Sequence, residues 1–138
     1  MNLTKNKSGF TLLEIIIVII IVGILASLAL PRFFKTVEFS RGQEALANLG
    51  TIRQAMDRCY LFSRSYVPCT TFANLDIADP GAVPNAHWTY AWGAPAKDGY
   101  TATATRTAVD GGTSADSIAI NQAGLKTGAG NFASVQGN

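Results

Sequence analysis

The chain reads as an α+β protein: one long N-terminal helix packed on a small antiparallel sheet of three or four strands. Three observations predict this. Phe10 to Leu30 is an unbroken run of apolar or small residues apart from Thr11 and Glu14. Beyond it, Ala45, Leu49, Ile52, Met56 and Cys59/Tyr60 recur at spacings of three and four, the stripe of a helix facing a core. From Trp88 onward the pattern alternates instead, as a half-buried strand requires.

The elements follow in order. The run from Phe10 to Leu30 is 21 residues. At ~1.5 Å per residue it spans about 30 Å, the thickness of a bilayer's hydrocarbon core. The continuation from Phe33 to about Ser63 makes one helix of about 54 residues, roughly 80 Å long if unbroken. Pro31 has no amide hydrogen and crowds the carbonyl of Ser27, so the helix is expected to weaken or kink there. Gly23, Gly42 and Gly50 are further weak points, each costing about 1 kcal/mol relative to alanine. Gly42 and Gly50 serve either close approach or bending. The helix should stop near Ser65, with Pro68 beyond it.

Residues 66–86 carry Pro68, Pro80, Gly81 and Pro84 and read as an irregular connection with a short turn near Thr71 to Leu75. Trp88, Tyr90 and Trp92 then alternate with His87, Thr89 and Ala91, which makes His87 a strand residue. Gly93 to Gly99 is a turn. In Tyr100 to Val109, threonines alternate with alanines. The alanines face the helix and the threonines face water. Asp110-Gly111-Gly112 is the next turn, and Ile118 and Ile120 share one face of a short strand. The glycine-rich tail adds an edge strand at Phe132 to Val135. One amphipathic helix over such a sheet buries both apolar faces.

The N-terminus carries the sharper signal. Met1 to Ser8 is a short polar leader with Lys5 and Lys7, placed before the apolar run. A cut between Gly9 and Phe10 removes the lysines and keeps the hydrophobic segment, unlike an ordinary secretory signal, which is cut after its apolar core. The lysines favour the cytoplasmic face. Glu14 is a carboxylate inside an apolar helix, and such a residue is a functional candidate by default. The alternatives are an uncleaved single-pass anchor and a Glu14 that snorkels to the headgroups.

These residues — Gly9, the run Phe10-Thr11-Leu12-Leu13-Glu14, Gly23 and Pro31 — resemble the N-terminus of type IV pilins and of the pseudopilins of type II secretion. The resemblance covers about 25 of the 138 residues. It implies a pilin-like fold and cleavage of the leader 1–9 by a prepilin peptidase that also methylates Phe10. It implies a membrane and filament-core segment at 10–30, an amphipathic continuation at 31–64 and a globular head at 65–138. Before assembly the chain would be a single-pass inner-membrane protein among lipid. Assembly machinery would then polymerise it into an extracellular or periplasmic filament, a homopolymer of this chain. Glu14 would meet the terminal ammonium of a neighbouring copy and set the stagger. Helix near Gly23 and Pro31 can be lost on polymerisation in such filaments.

The function read from this is structural: a major-type subunit of a type IV pilus-like filament. The alternatives are a pseudopilin or a minor pilin with a binding role. Against a pseudopilin, no acidic residue follows Asp116 to build a C-terminal calcium site, and Arg32-Phe33-Phe34-Lys35 departs from the usual pseudopilin wording. A binding role in DNA uptake would need an exposed basic patch with aromatics. The head has three basic residues (Lys97, Arg106, Lys126) against five acidic ones, so no nucleic acid is expected. The stem from Arg32 to Arg64 is basic, six against three. Stem and head either complement each other between subunits or are simply solvated. No nucleophile motif, phosphate loop or metal constellation is visible, so no enzyme, cofactor or metal is expected. The stem aromatics Phe33, Phe34, Phe39, Tyr60 and Phe62 read as packing residues rather than as an electron path.

Cys59 and Cys69 are the only cysteines. Outside the cytoplasm they would form a bridge worth ~2–3 kcal/mol from the helix end to the next loop. In a reducing setting they would be two free thiols.

Overall fold

The computed structural model describes residues 9–137; the leader Met1 to Ser8, with Lys5 and Lys7, lies outside them. The chain divides into two units, one ending at Glu38 and one beginning at Phe39. Helix α1 (Leu12–Ser63) contributes to both.

In the first unit every residue from Gly9 to Thr36 is exposed. The segment is long and apolar enough to cross a membrane, and none of that stretch is buried within the chain. Pro31 lies inside α1, which continues on both sides of it. The missing N–H removes one rung, and the flanking rungs hold.

The second unit is the compact head. Four strands form a meander in the order β1 (Trp88–Trp92), β2 (Thr101–Arg106), β3 (Ser117–Asn121) and β4 (Lys126–Ala129). All neighbours are antiparallel. The register lays down three inner rows, Trp88–Arg106, Tyr90–Ala104–Ile118–Gly128 and Trp92–Ala102–Ile120–Lys126. Ala102 and Ala104 are buried and the threonines between them are exposed or half-buried, as the alternation requires. Small side chains on β2 leave depth over the middle of the sheet. Ala45, Leu49, Ile52, Ala55 and Met56 of α1 join the sheet residues in one core. Packing at crystal-like density makes this matching of large and small necessary. The expected α+β class is the one observed.

The helix ends at Ser63, where its pattern stops; Arg64 turns left-handed at φ 54° and its N–H donates to Tyr60 O at 2.7 Å. Two details differ from expectation. His87 lies just before β1 rather than in it. The edge strand is Lys126–Ala129, not Phe132 to Val135. Phe132 closes a single 3-10 turn, Gly130–Phe132, and is buried against Trp88 with ring centres 5.2 Å apart. The buried carboxylate of Asp116 fixes that turn, accepting from Asn131 N at 2.7 Å and Asn131 Nδ2 at 3.1 Å. Burying a phenyl ring outweighs the rungs a strand would gain there. Gly128 permits the fold-back, since a side chain there would meet the carbonyl of Phe132.

Each sheet edge has one neighbour at its end: the turn at Gly81 sits over the Trp88 carbonyl, and Lys126 N donates to Gly137 O at 2.9 Å beyond β4.

Candidate functional site

The first candidate is the N-terminal helix start. Thr11 precedes α1, and Glu14 falls three residues later. The Glu14 N–H donates to Thr11 Oγ1 at 3.2 Å, and Glu14 Oε2 accepts from Thr11 N at 3.4 Å. This is a reciprocal capping box, which satisfies two of the donors that a helix start leaves open. Glu14 is exposed. The structure therefore holds the one carboxylate of the apolar segment at its own helix end, where the positive end of the dipole favours it. Gly9 and Phe10 lie directly before the cap, both exposed. Gly23 has no heavy atom within 4 Å of where a Cβ would lie. Pro31 is exposed within α1.

The head holds the second group. Cys59 and Cys69 are joined, with Cα atoms 6.2 Å apart. The bridge ties the last turns of α1 to the loop after it. Cys69 is fully buried, and its carbonyl accepts from Trp92 Nε1 at 2.8 Å. Beside it, the Tyr66 ring lies between Tyr60, tilted at 4.7 Å, and Tyr100, edge-on at 4.8 Å. Tyr66 Oη donates to Asp57 Oδ1 at 3.1 Å, and Tyr60 Oη to Asp98 Oδ1 at 3.3 Å. Burial, then the nearby Asp57, pushes the Tyr66 phenol up. Burial does the same more strongly at Tyr100. Among the described residues Tyr100 Oη is a buried side-chain oxygen with no hydrogen-bond partner.

A third cluster closes the far side of the head. Arg41 donates to Asp110 Oδ2 at 2.7 Å, and His87 Nε2 lies 3.1 Å from the same oxygen. His87 Nδ1 is 3.8 Å from Glu44. The hydrogen bond from His87, then the Arg41 charge, holds the Asp110 carboxyl below its usual range. One stem cation thus meets one head anion within a single chain. Periodicity could not show this, because it pairs residues 69 apart.

Arg106, one of the head's three basic residues, is buried. Its Nη1 donates to His87 O at 3.0 Å, and its guanidinium lies over Trp88 at 5.9 Å. The signal was its place in the strand: Arg106 continues the inward-facing set Ala102, Ala104. At the end of α1, by contrast, Arg58, Phe62 and Arg64 are exposed, and Phe62 is the most exposed large apolar residue described, at 93%.

Comparison with known proteins places this architecture. A family described as "Type IV minor pilin ComP, DNA uptake sequence receptor" matches residues 31–117. The prokaryotic N-terminal methylation motif matches residues 4–30. The type II secretion system core protein G of Aeromonas hydrophila is 38% identical over 82 residues, 58% of this chain and 56% of that protein. Its counterpart in Escherichia coli (strain K12) is 32% identical over 84 residues, 61% of this chain and 57% of that protein. The type IV major fimbrial protein FimA of Dichelobacter nodosus is 33% identical over 82 residues, 57% of this chain and 53% of that protein. The matches thus span little more than half the length of these curated relatives. The methylation motif covers the Gly9/Phe10 junction and the exposed apolar segment, and the family match covers the rest of α1 with β1 and β2: this chain belongs to the type IV pilin family.

Proposed function

We propose that the chain is a shaft-type structural subunit of a type IV pilus-like filament, cut between Gly9 and Phe10, methylated at Phe10, and polymerised through α1. One observation carries this reading: the apolar segment of α1 is exposed along its whole length, with a single carboxylate, Glu14, at its start. Such a surface is stable in lipid or against other copies, and nowhere in water. Glu14 then changes partner, from its own helix cap to a neighbour's terminal ammonium. An ion pair out of water adds little net stability, but an unpaired charge there is expensive, so the pair selects register. Gly23 and Pro31 lie where helix is cheapest to lose. Prepilin peptidase and inner-membrane machinery are the implied partners, with lipid before assembly. No catalytic role is part of this reading.

The test is Glu14→Gln. The amide keeps the shape and removes the charge, so membrane insertion and cleavage should persist while the ratio of filament to membrane-pool subunit falls. Filament yield equal to wild type, with normal cleavage, defeats the shaft assignment. Intact mass of the filament subunit must also lack Met1 to Gly9.

A second reading is a minor pilin that receives DNA. The match of residues 31–117 to a family with that description favours it, against the earlier expectation of no nucleic acid. Burial of Arg106 weakens it by removing one head cation from the surface.

A further inference from the structure

We propose that the recess between the β1–β2 connection and the β3–β4 turn binds a neutral saccharide. The Gln122 amide and the Thr101 hydroxyl would hold it over a floor of Gly93, Ala94, Ala96 and Gly99. The site is independent of both functional readings above.

The recess measures about 450 Å³, within the ~300–1,000 Å³ of small-molecule sites. Both loops that build it are pinned. In the β1–β2 connection, Ala96 N donates to Gly99 O at 2.8 Å, and Tyr66 N donates to Lys97 O at 3.0 Å. In the β3–β4 turn, Gly124 N donates to Asn121 O at 2.9 Å, and Arg53 Nε donates to Gln122 O at 3.3 Å. The walls are therefore set before any ligand arrives.

The fold does not need glycine at positions 93 and 99. Neither has the left-handed backbone that favours glycine. A Cβ on Gly93 would meet nothing within 4 Å, and one on Gly99 would make ordinary contact with the Gln122 side chain at 3.6 Å. Glycine in a loop carries an entropic cost on folding, and here neither a turn nor a close approach offsets it. What the two glycines do, with Ala94 and Ala96, is keep the floor low. Cδ, Oε1 and Nε2 of Gln122 all lie 3.6 Å from the Gly99 Cβ position, so the amide is face-on to the loop and its donor and acceptor edges point away from it. Among the described residues, no hydrogen bond within the chain engages that amide or the Thr101 hydroxyl.

The lining selects the ligand. No Asp, Glu, Lys, Arg or His belongs to it; Lys97 and Asp98 of the same connection lie outside. An anion would need a cation or converging N–H groups. A peptide would need a free strand edge, and β2 is inside the sheet with Thr101 paired to Asn121. Saccharide hydroxyls each donate and accept, as the Gln122 amide and the Thr101 hydroxyl do. The C–H face of a pyranose ring suits a floor of glycine and alanine.

The experiment uses the full chain, labelled with nitrogen-15, in dodecylphosphocholine micelles, which carry no sugar headgroup. Amide shifts are followed with maltose, cellobiose, lactose and N,N′-diacetylchitobiose, and with trialanine and inorganic phosphate as contrasting probes. At least one disaccharide should shift the amides of residues 93–101 and 121–124 saturably. Gln122→Ala and Thr101→Val should each weaken that binding roughly tenfold. Gly93→Ala combined with Gly99→Ala should weaken it too, with the melting temperature unchanged or raised, a pairing that a damaged fold cannot produce. Thr127→Val, on β4 and outside the recess, should change nothing.

Silence from all four disaccharides overturns the proposal. So does a saturable shift that maps elsewhere, or one that survives the Gln122, Thr101 and double-glycine variants. Trialanine or phosphate in the recess with the sugars silent gives the site another ligand class and equally overturns it.

Discussion

A methyl group placed on Gly42 would lie 2.5 Å from Cε1 of Phe132. Helix α1 and the C-terminal tail therefore meet at a position where only hydrogen fits. Gly50, eight residues on, has nothing within 4 Å of the same construction. Close approach is the role of Gly42, and Gly50 has no such role within the chain.

Opposite effects of one substitution follow. Gly42→Ala gains about 1 kcal/mol of helix propensity but must displace a buried ring, an overpacking cost of ~1–3 kcal/mol. Its melting temperature should fall. Gly50→Ala should raise it, by about 0.5–1 kcal/mol of stability. Equal shifts from both would show that Phe132 does not pack on Gly42.

Two tyrosines give a second contrast. Tyr90 Oη accepts from Asn48 Nδ2 at 2.8 Å, whereas Tyr100 Oη has no partner among the described residues. Tyr90→Phe should cost about 1 kcal/mol, and Tyr100→Phe should gain about as much by removing an orphan hydroxyl. Denaturant titration measures both. A Tyr100→Phe loss matching that of Tyr90→Phe would mean the hydroxyl is satisfied.

Asp110 sets a pH dependence. Its folded carboxyl lies below the ordinary 3.8, chiefly because His87 and Arg41 favour the anion. A depressed carboxyl contributes stability that is present above the unfolded pKa and is lost as pH falls through the folded one. Asp110→Asn suits the left-handed backbone at φ 52° and removes only the charge. The melting-temperature gap between wild type and variant should close as pH falls through and below the ordinary carboxylate range. A gap that persists in acid would assign the effect to lost packing.

The bridge between Cys59 and Cys69 predicts a reductant effect. Reduction should cost ~2–3 kcal/mol, since the closed loop is short. Alkylation of native protein without reductant should label neither cysteine. Free labelling of both thiols would refute the bond in the assembled protein.

Much of this fold was legible because period and composition are local signals. The apolar run, the 3–4 stripe from Ala45 to Tyr60 and the alternation of Ala102 and Ala104 with threonines each state a face, and a face implies what must cover it. The junction at Gly9/Phe10 and the lone Glu14 were legible for another reason: their chemistry makes no sense in a plain anchor.

What tertiary structure alone decided concerns residues far apart in the chain. Arg106 is a cation by composition and a core residue by register. Asp110 and Arg41 look like members of an acidic head and a basic stem, yet they are partners. Phe132 suggested a strand and became a plug, because Trp88, Gly42 and Asp116 surround its turn with better contacts than a sheet edge offers. Periodicity carries the direction of a side chain from its own backbone. Which distant group waits in that direction is set by packing, and packing is a property of the whole chain at once.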